Sequence, residues 1–330
     1  MSVVPTIVNC LMPSRLSPPS HRVCHSPWLI LLLGLLMAPW VLAGEGVREL
    51  RVGFAQDHLA NDWRLAQVKE LEQALAPHPH IHFSYTDARG STAKQIQDIE
   101  DLIHAGIDVL ITSPRDSVAM TPVIQQAYRQ GIAVILLTRQ ITTDDYTTYI
   151  SPNDSDIAHA AAHYLVAELG GEGRIVMLRG VPAASTTLQR SEGFLAVIDE
   201  YPKMEVVADK VANFLRNDAI RAIEEVLAHG IEFEAIYAQS DSMASGARMA
   251  LKLAGIDPSE LVIIGIDYIS EARQAILAGE QRASFTYPTS AREAAEVVLA
   301  IAAGKDVPRD IQVPSQRVDI HNAHDVEPIF

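Results

Sequence analysis

Repeatedly in this chain a short apolar run ends on polar or charged side chains: Val52 to Gln56 and Asp57, Val109 to Arg115, Val134 to Arg139, Ile236 to Asp241, Val262 to Asp267. Carboxylates, guanidiniums and amides delivered in this way can hydrogen-bond a polyhydroxylated molecule. Just beyond the first run, Asn61, Trp63 and Arg64 stand together at a helix start. A lone tryptophan there suits core packing as readily as a ligand platform. Its company favours the platform, because Asn and Arg supply hydrogen bonds around one stacking plane.

The elements that must position these groups are strands alternating with amphipathic helices. Strand candidates are 50–55, 80–85, 109–112, 134–137, 148–150, 174–178, 205–208, 235–238, 261–266 and 283–286. Between them, apolar positions three or four apart, as in Ile96, Ile99, Leu102, Ile103 and in Ile220, Ile223, Val226, Leu227, make one buried stripe per helix. Glycines such as Gly106, Gly230 and Gly255 follow these stripes as helix stops. The βα succession predicts parallel sheets with right-handed crossovers, and two smaller sheets in two lobes are easier to cover than one of ten strands. Small molecules bind such sheets in the crevice beyond the carboxyl ends of the strands. Ser151-Pro152-Asn153-Asp154 is a polar hinge candidate.

Arg15, His21, Arg22 and His25 precede an apolar run from Trp28 to Leu42 that ends on Ala43, which reads as a signal peptide (1–43) cleaved after Ala43. The leader is long, and Met12 is an alternative start. Pro39 and the shortness of the run argue against an uncleaved anchor. Both cysteines, Cys10 and Cys24, fall within the leader, so the expected mature chain has no disulfide, thiol nucleophile or thiolate metal site. The 26 basic and 41 acidic residues give a formal charge of −15; Arg15 and Arg22 are the leader's only charged side chains besides histidines, so its removal deepens this to −17. Such acidity disfavours nucleic acid as a partner.

His78, His80 and His82, and His159 with His163, read as surface histidines; the pair at i, i+4 lacks both the Glu of a zinc protease motif and a third ligand near in sequence. We expect no metal and no cofactor. No Gly-x-Ser-x-Gly elbow, phosphate-binding loop or dinucleotide turn after the first strand is present, and we expect no enzyme.

From about Leu50 to Asp319 the chain resembles the type I periplasmic sugar-binding proteins, especially the ribose- and galactofuranose-binding members. The resemblance lies in Val52 to Arg64, Val134 to Gln140, Gly180 to Phe194, Ile236 to Gly246 and Val262 to Asp267, in that order and spacing. It implies an α/β, two-lobed fold of the periplasmic-binding-protein type I class, each lobe a parallel sheet flanked by helices, with three hinge crossovers near Ser151, Tyr287 and Val313. The lobes would comprise residues 47–151 with 288–313, and 152–287 with 314–330. The resemblance places ligand contacts at Asn61, Trp63 and Arg64, at Thr138 and Arg139, and at Arg190, Phe214, Ser240, Asp241, Asp267 and Tyr287; Gln56 and Asp57 join them from the first strand end.

Thr138 stands where ribose binders carry a carboxylate and Ser240 where they carry an amide, so two multidentate groups become single hydroxyls, an argument against ribose itself. Arg64, Arg139 and Arg190 against Asp267, Asp241 and Asp57 leave two readings. A cationic pocket would accept a uronate; arginines held by the aspartates would donate to neutral hydroxyls, the reading we favour. Asp241 reads as a helix N-cap more than as a ligand contact, and Asp267 as a contact. Phe214 suits core as well as ligand, and Tyr287 suits hinge packing.

The resemblance implies an exported, periplasmic, monomeric receptor that closes by a hinge on a monosaccharide or related polyol. Its partner would be the membrane permease of an ABC-type importer or, alternatively, a membrane histidine kinase or chemoreceptor that reads the ligand without transport. Lac-repressor-type regulators share the fold but begin with a DNA-reading element where this chain has its leader.

Overall fold

Apolar runs too short for helices become buried strands, and the amphipathic stretches between them become helices that cover both faces. The computed structural model describes residues 49–330, and the proposed leader with both cysteines lies outside them. In chain order the strands are β1 (Leu50–Gln56), β2 (Ile81–Asp87), β3 (Val109–Thr112), β4 (Ala133–Leu137), β5 (Thr148–Ser151), β6 (Gly173–Arg179), β7 (Met204–Val211), β8 (Ala235–Ala238), β9 (Val262–Ile264), β10 (Ala283–Phe285), β11 (Asp310–Gln312) and β12 (Arg317–Asp319). The helices are α1 (Asp62–Leu75), α2 (Thr92–His104), α3 (Thr121–Arg129), α4 (Asp154–Glu168), α5 (Ser185–Ile198), α6 (Arg216–Ala228), α7 (Asp241–Leu253), α8 (Ser270–Leu277) and α9 (Ala291–Ala302).

Two six-stranded sheets result, β2-β1-β3-β4-β5-β11 and β7-β6-β8-β9-β10-β12. The strand order is the same in both. Every ladder is parallel except β10 with β12, which runs antiparallel. The chain passes between the sheets three times: after β5 at Pro152, after β10 near Tyr287, and between β11 and β12 from Val313. That is the expected two-lobed α/β architecture with three crossovers. The sheet order reverses between β1 and β3 and between β6 and β8, and at such points the strand ends splay to leave a crevice.

The strand boundaries differ from the expected ones mainly at the edges. β11 and β12 are three residues each and carry charged or polar side chains at both ends, so they show no apolar run; β11 lies at the surface, whereas β12 buries Val318 and Asp319. β9 stops at Ile264, and beyond Gly265 and the core residue Ile266 the chain bridges again at Asp267, to Thr286. Gly255 ends α7 with φ 77°, as the helix-stop reading expects.

Among the described residues four large apolar clusters form the core, two for each sheet, with a small fifth of Tyr268, Ile276, Val318 and Ala323 beside the second. Trp63, on the first-sheet helix α1, packs into the second-sheet cluster beside Tyr287. In the second lobe α6 and α7 pack so closely that a Cβ added to Gly246 would lie 2.3 Å from the carbonyl oxygen of Arg216. Backbone, unlike a side-chain tip, cannot swing aside. Gly246→Ala should therefore force the helices apart at a cost of about 1–3 kcal/mol, seen as a lower midpoint in thermal unfolding followed by circular dichroism; an unchanged midpoint would show that the helices adjust freely.

Candidate functional site

Each strand end of the crevice contributes a short loop that leads into a helix or turn, and these loops meet between the lobes. Together they form a cleft lined by Asn61, Trp63, Arg64, Thr138, Thr186, Arg190, Phe214, Ser240, Asp267 and Tyr287. A few fixed polar groups beside aromatic faces are the lining expected of a small-molecule site.

Three of the lining residues, Thr138 (φ 60°), Phe214 (φ 61°) and Asp267 (φ 122°), adopt backbone conformations that non-glycine residues rarely take. Such strain concentrates at binding sites. At two of these turns the carbonyl is aimed across the cleft: Phe214 O accepts from Asn61 Nδ2 at 2.7 Å, and Thr138 O accepts from Thr186 Oγ1 at 2.7 Å. Gln140 N donates to Ser185 Oγ at 2.8 Å, and Ser117 N to Ala183 O at 3.0 Å, so the lobes are described in contact.

Trp63 is the only tryptophan among the described residues. Its Nε1 donates to Tyr287 O at 2.9 Å, and the Arg64 guanidinium lies 5.0 Å from its ring centroid. Asn61 caps α1 by accepting from Arg64 N at 3.1 Å while it reaches to Phe214, so one amide fixes both the helix start and the lobe contact. The Phe214 ring occupies the space of a missing side chain: a Cβ on Gly180 would lie 1.9 Å from it.

The guanidiniums are held by carboxylates. Arg139, fully buried, donates from Nη1 to Asp57 Oδ2 at 2.8 Å, and Arg64 Nε lies 3.4 Å from Asp57 Oδ1. Burial alone would raise the Asp57 pKa, but Arg139 and Arg64 outweigh it and hold the group well below the usual carboxylate range. Burial lowers Arg64 to about 10, with repulsion from Arg139 adding to it, which leaves it charged at neutral pH. Arg64 Nη1 also donates to Ser113 Oγ at 2.9 Å. Arg190 donates from Nε to Asp154 Oδ1 at 2.7 Å and lies 4.4 Å from the Tyr287 ring centroid. Asp267 is the one carboxylate among the lining residues. Burial pushes its pKa well above the ordinary value, an effect that Arg190 and Arg64 only partly offset.

Nine of the thirteen residues read from sequence thus share one cavity, and four do not line it. Gln56 is fully buried, donating to Gln67 Oε1 at 3.0 Å and accepting from Asp57 N at 3.0 Å. Asp57 and Arg139 neutralise each other behind the wall, although Arg139 Nε and Nη2 have no hydrogen-bond partner among the described residues. Asp241 is neither the helix cap nor on the cavity wall. The cap is Ser240, whose Oγ accepts from Met243 N at 3.3 Å, and Asp241 points inward to accept from Gln281 Nε2 (2.8 Å), Ser284 Oγ (2.6 Å) and Tyr268 N (2.7 Å). Its role is to hold the turn that carries Asp267. Thr186 was missed. Its signal was a hydroxyl run, Ser185-Thr186-Thr187, at the start of α5 after β6.

Burial raises Asp241 to about 6, with no buried cation close enough to offset it fully. Between its unfolded value, about 4, and 6 the native state therefore holds the extra proton, so this group's contribution to stability falls as pH rises through that window. Asp57, held low, acts in the opposite sense at lower pH. Asp241→Asn should flatten the fall between about pH 4 and 6, by up to about 3 kcal/mol, in urea melts; a slope equal to wild type would mean that Asp241 does not titrate there.

A family model described as the periplasmic binding protein domain matches residues 52–306. The ribose import binding protein of Bacillus subtilis is 28% identical over 272 residues, covering 81% of this chain and 86% of that protein. Among solved structures, the fructose-binding periplasmic domain of a hybrid two-component system superposes with a TM-score of 0.79 at 29% identity, covering 83% of this chain and 92% of the other. The periplasmic binding component of the arabinose ABC transporter from Shewanella sp. ANA-3, bound to α- and β-L-arabinofuranose, gives 0.77 at 25% identity over 83% of this chain and 93% of the other. With its duplicated sheets, three crossovers and interlobe cavity, the chain belongs to the type I periplasmic sugar-binding proteins.

Proposed function

We propose that this chain is an exported periplasmic receptor that binds one neutral monosaccharide or related polyol between its lobes and delivers it to an ABC-type importer. The observation that carries the reading is the cavity itself: aromatic planes at Trp63 and Phe214 beside fixed donors and acceptors at Asn61, Arg64, Arg190 and Asp267, drawn from both lobes. Residues 47–151 with 288–313 and 152–287 with 314–330 are the two bodies that close, as a monomer, about the crossovers. Neutral ligands are favoured because Arg190 has Asp154 as its own carboxylate while Arg139 and Arg64 share Asp57. Hydroxyls then satisfy the remaining donors, and a site group left without its partner penalises the wrong sugar. The relatives named for ribose and for arabinofuranose point to the same ligand class.

Since Trp63 is the only tryptophan among the described residues, its fluorescence reports the cavity directly. Titration with D-ribose, D-fructose, L-arabinose and myo-inositol should change the emission saturably for at least one of them. Trp63→Ala should weaken the same sugar about tenfold in calorimetry. Silence with every neutral sugar, together with a response to D-galacturonate, would replace the neutral reading with the acidic one.

A second reading, signalling, is favoured by one observation, the 29% identical domain that belongs to a hybrid two-component system. The test is uptake. Deleting the gene should abolish accumulation of the radiolabelled ligand if the protein serves an importer; normal uptake with lost transcriptional induction would favour the sensor.

A further inference from the structure

Arg190 reaches the cavity from α5, but its orientation is set elsewhere. Its Nε donates to Asp154 Oδ1 at 2.7 Å and its Nη1 to Gln239 O at 2.5 Å, while its planar face lies over the Tyr287 ring at 4.4 Å. Two of the three nitrogens are thereby committed to protein acceptors, and the guanidinium plane is fixed by the ring. Asp154 in turn accepts on its other oxygen from Tyr287 Oη at 3.1 Å, and Tyr287 Oη lies 3.2 Å from Ser151 Oγ. Ser151 and Asp154 flank the first crossover and Tyr287 lies on the second. All four side chains are buried.

We propose that Asp154 is the positioning residue of the binding site, holding Arg190 in its ligand-facing orientation and tying that orientation to the two crossovers about which the lobes move. The proposal rests on the reading above that Arg190 faces the ligand. Asp154 is suited to the task because a short carboxylate in the first turn of α4 has little rotameric freedom, and its two oxygens address the guanidinium and the phenol separately. A guanidinium donates in a rigid planar fork, so fixing one edge and one face fixes where the remaining donors point. Asp154 touches no ligand on this account. It acts through Arg190.

Calorimetry with D-ribose, D-fructose and L-arabinose on wild type, Arg190→Met, Asp154→Asn and the double variant tests this. Arg190→Met should lose about 10- to 100-fold in affinity, the range of a charge-assisted hydrogen bond. Asp154→Asn should approach that loss, and the double variant should bind no more weakly than Arg190→Met alone. Wild-type affinity in Asp154→Asn, or a further tenfold loss in the double variant, would overturn the proposal while leaving Arg190 in the site. Unchanged affinity in Arg190→Met would instead remove Arg190 from the site and the proposal with it. If Asp154→Asn does not fold, Asp154→Ser, which withdraws the acceptor from Arg190 Nε, takes its place in the affinity comparison, with wild-type affinity again overturning the proposal, and the double variant, which leaves neither buried charge unpaired, still overturns it by binding more weakly than Arg190→Met. A readout without any sugar is the Arg190 Nε–H resonance, assigned by its loss in Arg190→Met. It should exchange slowly in wild type and rapidly in Asp154→Asn, and equal protection in both would overturn the proposal.

Discussion

Guanidinium groups packed against a closed cavity need carboxylates, and the rest of the site follows from how the chain supplies them. Leaving one buried charge without its partner costs several kcal/mol. Here Asp57, at the end of β1, serves Arg139 beyond β4 and Arg64 on α1, and Asp154 on α4 serves Arg190 on α5. Each pair joins side chains from different loops, so it forms only when strands or helices distant in sequence are already in place. The charges that equip the cleft are thus stabilised by the assembled fold, and the cleft cannot be equipped without it.

The two lobes repeat one strand order, and the repetition explains how they meet. In each lobe the helix that follows the first strand, α1 after β1 and α5 after β6, sends a polar side chain from its start across the cleft. Asn61 and Thr186 each find a carbonyl turned outward by a left-handed residue, Phe214 and Thr138. These are neutral hydrogen bonds, individually about 1 kcal/mol net. A few such contacts do not dictate closure. A ligand held from both sides adds interactions of the size a near-complete shift requires, about 5 kcal/mol.

What was legible in the sequence was whatever depends on local pattern. Buried parallel strands are apolar throughout and end abruptly on polar residues, so β3 and β8 stand at the expected positions, and the loops after the strand ends converge as the α/β rule demands. Pattern failed where pairing decides. Asp57, Arg139 and Asp241 look like ligand groups because polarity at a strand end is all that sequence displays, yet each turns inward to a partner far along the chain, as Asp241 does to Gln281 and Ser284 forty residues away. Ser240 and Asp241 are both competent caps, and which one caps is set by Gly265, whose missing Cβ admits the Asp241 carboxylate. Short edge strands such as β11 and β12 owe their conformation to a neighbour, with no apolar run to announce them.

Neutralised arginines change what the cavity can select. On the proposed reading, with Arg190 paired to Asp154 and Arg139 and Arg64 sharing Asp57, net charge would discriminate little and position would take its place. Arg64, Arg190 and Asp267 are held by packing and, for Asp267, by a strained turn, so their donors and acceptors define fixed points. Thr138 carries a hydroxyl that can donate or accept, and Ser240, whose Oγ accepts from Met243 N, keeps its proton to donate. Trp63 and Phe214 offer apolar planes between them. Burial makes the charged form of Asp267 costly, and hydroxyl donors arriving at the right angles would lower that cost. On the proposed reading, a ring whose hydroxyls miss those angles would leave the buried carboxylate short of donors, and the burial of Asp267 would in that way separate one polyol from another.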